Sequence, residues 1–270
     1  MIIPDEPQVS IVIEGIQFGY NGTDVLKGVK FEGRPGEFIG LIGPNGSGKS
    51  TLLRLINGIL KPRMGTIMMD GKDLDKMRVE EIAKICANVP TEFSEDINLT
   101  VQELVFLGRY PFAKGLWWDA KEDEAMVMDA LKKFGVFHLK DRRYSELSSG
   151  EAQRVLLAKA VVQCPRVMLV DEPSAHLDLR YKLEVMEHLR ELLKGNVTIV
   201  IASHDLNLLA KYCDKVMILS KGKIVAFGTP NEVITSEMVE QVYGVEVLIL
   251  NDGGDIYAIP RRTKPKEGRT

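Results

Sequence analysis

Hydrophobic and polar positions change period several times along the 270-residue chain. Val9, Ile11 and Ile13 recur at every second position and fall on one face, and Val25, Val29 and Phe31 form a second run beyond Asn21-Gly22. That pattern predicts an antiparallel hairpin. Phe38-Ile39-Gly40-Leu41-Ile42 is continuously apolar, as a strand buried on both faces must be. Residues 52–57 switch to helical spacing and stop at Gly58. After the break at Lys61-Pro62-Arg63, residues 65–72 predict a short strand and turn, 79–84 a short helix, and 86–89 another buried strand.

The texture then changes. Residues 101–107 and 119–134 have helical spacing, the second with Asp119 placed as N-cap and Met126, Val127, Ala130, Leu131 and Phe134 on one stripe. No strand pattern interrupts residues 90–149. A further helix is predicted from Ser148 to about Val162, then an apolar strand Val167-Met168-Leu169-Val170 ending in Asp171-Glu172. Residues 181–193 form an amphipathic helix stopped by Gly195, 197–201 a buried strand, and 216–219 with 223–227 a hairpin across Lys221-Gly222. The fold expected is α/β: a core with a mixed sheet, an N-terminal antiparallel β region and an inserted helical subdomain. The boundaries drawn are 1–89 and 150–244 for the core, 90–149 for the helical part and 245–270 for a C-terminal extension. Residues 261–270 are basic and expected to fray.

Composition adds bounds. The chain is 45% hydrophobic and 27% charged with formal net charge −3, an ordinary soluble profile without the basic excess of a nucleic-acid binder. No apolar run approaches the roughly 18 residues of a membrane span. Pro4, Asp5, Glu6 and Pro7 lack the pattern of a signal peptide. Cys86, Cys164 and Cys213 form no metal or redox motif and are expected as buried free thiols in a reducing cytoplasm.

The strongest chemical signal is Gly43-Pro44-Asn45-Gly46-Ser47-Gly48-Lys49-Ser50-Thr51, set between a buried strand and a helix. In that context the sequence is a phosphate-binding P-loop. Loop and helix N–H groups point at phosphate oxygens, and glycines let the backbone come close. Lys49 supplies a point charge for the β- and γ-phosphates, and Ser50 a hydroxyl for Mg²⁺. Asp171 and Glu172, at a strand C-terminus, are placed to bind Mg²⁺ and to polarise a water. Ser148 and Glu151 fit a capping box, and the helix they open is a second anion-compatible terminus. His204 falls three residues beyond a strand, at the same side. Tyr20 precedes the first turn, either as a base-stacking aromatic or as a half-buried strand residue. Trp117-Trp118, near Pro111 and Phe112, forms an aromatic cluster that either docks a partner or folds onto the helical part.

In this order the segments resemble the ATP-binding subunit of an ABC transporter over nearly the whole chain. The resemblance implies that residues 43–51 are the Walker A loop, and that Leu147, Ser148, Ser149, Gly150 and Glu151 are the signature that caps ATP. Ser149 replaces the usual first glycine there and Glu151 the usual glutamine. It implies that Asp171 is the Walker B aspartate, Glu172 the catalytic glutamate, 174–178 the D-loop, His204 the switch histidine and Tyr20 the adenine-stacking aromatic. It further implies a head-to-tail homodimer closed by ATP and Mg²⁺ at the cytoplasmic membrane face, with transmembrane permease subunits and, indirectly, an external substrate-binding protein. Leu107-Gly108-Arg109-Tyr110-Pro111 and the 245–262 segment resemble importers of iron–siderophores, haem and cobalamin. One departure stands out: Thr91, followed by Glu92, occupies the place of a glutamine that contacts Mg²⁺. Thr91 acting through water, Glu92 substituting, or a weakened site are all compatible with that exchange. The alternative reading is a soluble ABC-type ATPase of an assembly or repair machine, although the long heptads of repair ATPases are missing. No Asn-Lys-x-Asp guanine-reading motif is present, which argues against a GTPase.

Overall fold

A computed structural model describes residues 10–91, 98–113, 120–173 and 178–263. The strands are β1 (Ile11–Tyr20), β2 (Thr23–Gly33), β3 (Phe38–Ile42), β4 (Met64–Met69), β5 (Lys72–Asp73), β6 (Cys86–Val89), β7 (Val167–Asp171), β8 (Thr198–Ala202), β9 (Lys215–Ser220), β10 (Lys223–Gly228), β11 (Val245–Asp252) and β12 (Asp255–Thr263). The helices are α1 (Lys49–Ile56), α2 (Val79–Ile85), α3 (Val101–Phe106), α4 (Ala120–Lys133), α5 (Ser149–Val162), α6 (Leu179–Leu192), α7 (Leu206–Tyr212), α8 (Pro230–Val233) and α9 (Ser236–Tyr243).

The central sheet has the order β10-β9-β3-β8-β7-β6. Strands β9, β3, β8, β7 and β6 run parallel, and β10 is an antiparallel edge. Both faces are covered, which is why these strands read as unbroken apolar runs. Ile39, Leu41, Leu169 and Val200 face α1 and a second, antiparallel sheet of order β2-β1-β4-β5. Phe38, Ile42, Val170 and Ile201 face the helical layer, where Val105, Leu157, Met186 and Leu209 meet them. Each such side chain contributes roughly 1.5–3 kcal/mol on burial.

The first hairpin departs from simple alternation. Ile11 and Ile13 are buried, but the next inward residues are Ile16 and Phe18. A bulge between Ile13 and Ile16 shifts the register at Gly15, whose φ of 65° suits glycine. In β2, Leu26 is buried and Val25 only half-buried, so the inward phase differs from the one read from Val25, Val29 and Phe31. The turns at Asn21-Gly22 and Lys221-Gly222 both have two positive φ values, as type I′ hairpin turns require.

Among the described residues of 90–149 there is no strand, only an isolated bridge between Thr100 and Arg143. Helices α3, α4 and α5 pack together there. The aromatic pair Trp117-Trp118, Asp119 and Glu92 lie outside the described residues. Arg109, within the segment that resembles importers, is largely internal. Its Nε is 2.6 Å from Asp123 Oδ1, its Nη1 donates to the Val162 carbonyl at 2.8 Å, and its guanidinium stacks on Phe112. Cys86 and Cys213 are buried free thiols, with burial pushing the Cys86 thiol up to about 12. Cys164 is exposed, contrary to expectation, because it occupies the left-handed position (φ 49°) that turns the chain out of α5. The C-terminal segment forms a β11–β12 hairpin that docks on α7 and α9. The Asn207 amide bonds both backbone groups of Ala258 there. Among the described residues, no helix is long and apolar enough to cross a membrane.

Candidate functional site

Strand register assembles the candidate site. Leu41 of β3 and Asp171 of β7 both pair with Ala202 of β8. Three neighbouring strands therefore end level with one another. The loop beginning at Gly43, the Asp171-Glu172 pair and the Ser203-His204 segment all leave the sheet along one edge. Val89 pairs with Val170, so Thr91 leaves β6 on the same side. In open α/β sheets this carboxyl edge is where ligands bind.

The loop itself is tightly built. At Gly43 a Cβ would lie 2.0 Å from the Leu219 carbonyl oxygen and 2.8 Å from Ser47 Oγ, so only glycine fits. At Gly48, the N-cap of α1, a Cβ would meet Leu26 at 2.8 Å, which puts the β1–β2 hairpin over the loop. Tyr20, at the tip of that hairpin, is 43% exposed and rests edge-on against Phe18 at 5.0 Å. Its outer face is open. Pro44, Asn45, Gly46, Ser50 and Thr51 are exposed or half-buried around the opening, and Ser47 is buried.

Lys49 is only 7% exposed. Its Nζ donates to the carbonyls of Gly43 at 2.8 Å and Pro44 at 3.4 Å, curling back over the loop. Burial pulls its pKa below the usual lysine value, and the charges of Glu172 and Asp171 oppose that shift. All three groups therefore share one electrostatic neighbourhood.

Glu172 has φ 50°, a left-handed conformation that costs a non-glycine residue about 1–2 kcal/mol. Its amide donates to Ala202 O at 2.9 Å, which holds the turn. Its Oε1 is 2.5 Å from His204 Nε2. The His204 segment is set in turn by Ser203 Oγ, which accepts from the Asp205 amide, and by Asp205, which caps α7. Thr91 Oγ1 donates to the Asp171 backbone carbonyl at 3.0 Å.

Two side-chain oxygens at this edge, Ser47 Oγ and Asp171 Oδ1, are buried without a partner. Buried polar atoms are ordinarily satisfied. A carboxylate oxygen and a hydroxyl left over beside a lysine, at a glycine-built loop, fit the oxygen-preferring coordination of Mg²⁺ and the acceptors of a phosphate chain.

Ser148 and Glu151 form the capping box expected of them. Glu151 Oε2 accepts from the Ser148 amide at 2.8 Å and from its hydroxyl at 2.7 Å, and Ser148 Oγ accepts from the Glu151 amide. Those bonds, the hydroxyl first, hold the Glu151 carboxyl below the usual range. Ser148 and Ser149 are exposed and Gly150 is half-buried, at the outer end of a helix packed on α3 and α4. Residues 174–177 of the expected D-loop lie outside the described residues, and Asp178 caps α6 through Tyr181. Helix α6 thus starts at Leu179, two residues before the sequence pattern placed it.

Residues 26–175 match the ABC transporter family model. The chain belongs to the ABC transporter family. It is an ATP-binding ATPase subunit of that family. The petrobactin import ATP-binding protein of Bacillus anthracis is 39% identical over 87% of this chain and 87% of its own length. The hemin import ATP-binding protein of Bordetella avium is 38% identical over 84% of this chain and 88% of its own. Among solved structures, a metal-chelate type ABC transporter in an inward-facing conformation superposes with TM-score 0.80 at 25% identity, covering 94% of this chain and 98% of that one.

One neighbour of the ABC site was not legible beforehand. Tyr243, the last residue of α9, brings its hydroxyl to the Gly43 amide, and burial pushes its pKa up to about 12. It lies 200 positions (243 − 43) from the loop it touches, in a stretch without any motif.

Proposed function

We propose that this ATPase subunit energises an importer of a metal chelate, of the iron–siderophore, haem or cobalamin type. The observation that carries the ATPase half of the reading is the level ending of β3, β7 and β8. It gathers Lys49, Asp171, Glu172 and His204 around the P-loop. The cargo class is supported by the relatives, whose names refer to hemin and petrobactin import, and by the metal-chelate type structure.

In this reading residues 43–51 hold the triphosphate and Tyr20 faces the adenine. Ser50 and Asp171 hold Mg²⁺, with Thr91 orienting Asp171 through its backbone. Bound Mg²⁺ neutralises charge that develops on the phosphate oxygens. Glu172 orients the attacking water and receives its proton, and His204 fixes the carboxylate through the contact already formed. Lys49 releases the Gly43 and Pro44 carbonyls and turns to the phosphates. Ser148, Ser149, Gly150 and Glu151, a solvent-exposed capped helix end, meet the nucleotide of a second copy. Residues 1–89 and 150–244 form the ATPase core, 90–149 the helical part and 245–270 an extension. The partners are a second copy of this chain and, at the cytoplasmic membrane face, permease subunits served by a substrate-binding protein.

The test is co-purification of the ATP-loaded Glu172→Gln chain from detergent-solubilised native membranes. Recovery of a multi-span permease that takes up ferric siderophore, haem or cobalamin when reconstituted supports the reading. Recovery of soluble partners alone, with no such permease, overturns it in favour of a soluble assembly machine.

A further inference from the structure

The tip of the β1–β2 hairpin outruns the rest of its sheet. Strand β1 pairs with β4 from Ile11 to Glu14 and once more at Gln17, opposite Met64. Beyond Gln17 it pairs only with β2 among the described strands, so Phe18, Gly19 and Tyr20 lie in a two-stranded ribbon. Such a ribbon is marginal without added support. Its register also slips between Phe18 and Gly19. At Gly19 the strands come so close that a Cβ would lie 2.2 Å from the Thr23 carbonyl oxygen. The last pair of the ribbon, Tyr20 with Thr23, therefore hangs beyond an irregularity.

Arg63, the residue before β4, supplies the support. Its amide donates to the Gln17 carbonyl at 2.8 Å, at the end of the β1–β4 ladder. Its Nη2 donates to the Gly19 carbonyl at 3.1 Å, and its Nη1 lies 3.5 Å from Asp24 Oδ1. Gly19 and Asp24 face each other across the ribbon, one pair before Tyr20 and Thr23. One guanidinium thus spans both strands beside their terminal pair. The Gly19 carbonyl belongs to the peptide group that leads into Tyr20, so holding it restricts the backbone that aims the ring. The ion pair with Asp24 is exposed and by itself contributes little. The planar fork matters more, because one rigid group fixes two strands. From the other side, Phe18 pairs with Leu26, which abuts Gly48 of the P-loop, and the Tyr20 ring rests on Phe18.

We propose that Arg63 is a positioning residue for the nucleobase: by clamping the Gly19 carbonyl and Asp24 it sets the pose of Tyr20, and so the affinity for the base, without acting on the triphosphate. This rests on the reading of Tyr20 as the residue that faces adenine.

The non-hydrolysable β,γ-imido analogue of ATP and inorganic tripolyphosphate, which has no base, are each titrated into the whole chain with Mg²⁺ by calorimetry. Stacking of a base on an aromatic ring is worth a factor of about 5–150. Tyr20→Ala should weaken the analogue within that range and leave tripolyphosphate unchanged. Arg63→Met, which keeps the stem and the backbone amide, should weaken the analogue several-fold and also leave tripolyphosphate unchanged. In the Tyr20→Ala background Arg63→Met should have no further effect, because its route to the base is gone. Equal losses for both ligands in Arg63→Met overturn the proposal, since Arg63 then acts on the phosphates or through the fold at large. Unchanged binding in Arg63→Met beside a loss in Tyr20→Ala, or fully additive losses in the double variant, overturn it while leaving Tyr20 in its role. Unchanged binding of the analogue in Tyr20→Ala overturns the stacking reading itself, and the proposal with it.

Discussion

Nε2 of His204 lies 2.5 Å from Oε1 of Glu172, so the first residue beyond β7 is joined to the second residue beyond β8. Glu172 is also held in a left-handed backbone conformation by its amide bond to Ala202. Together these contacts orient the carboxylate for one task. Glu172→Gln is expected to keep ATP affinity and to lose about 10²–10⁴-fold in turnover, the range of a general base. Equilibrium nucleotide binding alongside steady-state ATPase assays checks both halves. His204→Ala is expected to lose turnover with little change in affinity.

Lys49→Ala is expected to weaken ATP binding about 10–150-fold, the equivalent of one charge-assisted contact of 1.5–3 kcal/mol. The same side chain has a pH signature in the nucleotide-free protein. Its folded pKa is depressed, so the unfolded chain binds the extra proton. Its contribution therefore disfavours folding at neutral pH, and the penalty is relieved as pH rises through the alkaline window below the ordinary lysine value. Chemical denaturation of wild type and Lys49→Met across that window should show the stability difference shrinking as pH rises.

The capping box titrates in the opposite sense. Glu151 has a depressed folded pKa, so its contribution is full above the ordinary carboxylate value and is lost as pH falls through the lower, folded one. Ser148→Ala should cost about 1 kcal/mol of stability at neutral pH. In Glu151→Gln the acid-side loss attributable to this residue should disappear, as followed by thermal melts between neutral and acid pH.

Thr91 Oγ1 donates to the Asp171 backbone carbonyl rather than to its carboxylate. A glutamine there would extend past that carbonyl toward the carboxylate. Thr91→Gln should lower the Mg²⁺ concentration needed for half-maximal ATPase activity several-fold. A Mg²⁺ titration with turnover and metal dependence both unchanged would remove Thr91 from any role in metal handling.

The Arg109–Asp123 pair is nearly buried on both sides, at 13% and 10% side-chain exposure. Removing one member of such a pair costs about 3–5 kcal/mol. Arg109→Ala should therefore show itself in denaturant midpoints first, and in ATP binding only through lost folded protein.

Contiguous signals carried most of the fold and the site into the sequence. The P-loop is nine adjacent residues between a strand and a helix, and Asp171-Glu172 ends an apolar run that only a buried strand explains. What escaped was non-local. The role of Arg109 could not be read because its partners, Asp123 and the Val162 carbonyl, arrive from two other helices. The β11–β12 hairpin escaped because its burial does not alternate cleanly, with Val247 buried beside half-buried Leu248 and Ile249. Cys164 looked like an interior thiol until a backbone angle turned it outward. The bulges at β1 moved Ile16 into the core by a register shift that no two-residue period encodes.

The Tyr243 hydroxyl at the Gly43 amide has a mechanical corollary. Asn207 pins β12 to α7, the helix that follows His204, while α9 packs on β11 and ends at Tyr243. The C-terminal hairpin thus spans from the histidine's helix to the first residue of the phosphate loop, like a buckle joining two ends of one belt. Removing residues 245–263 should therefore loosen the helix after His204 and the end of α9 together, which backbone hydrogen exchange would read.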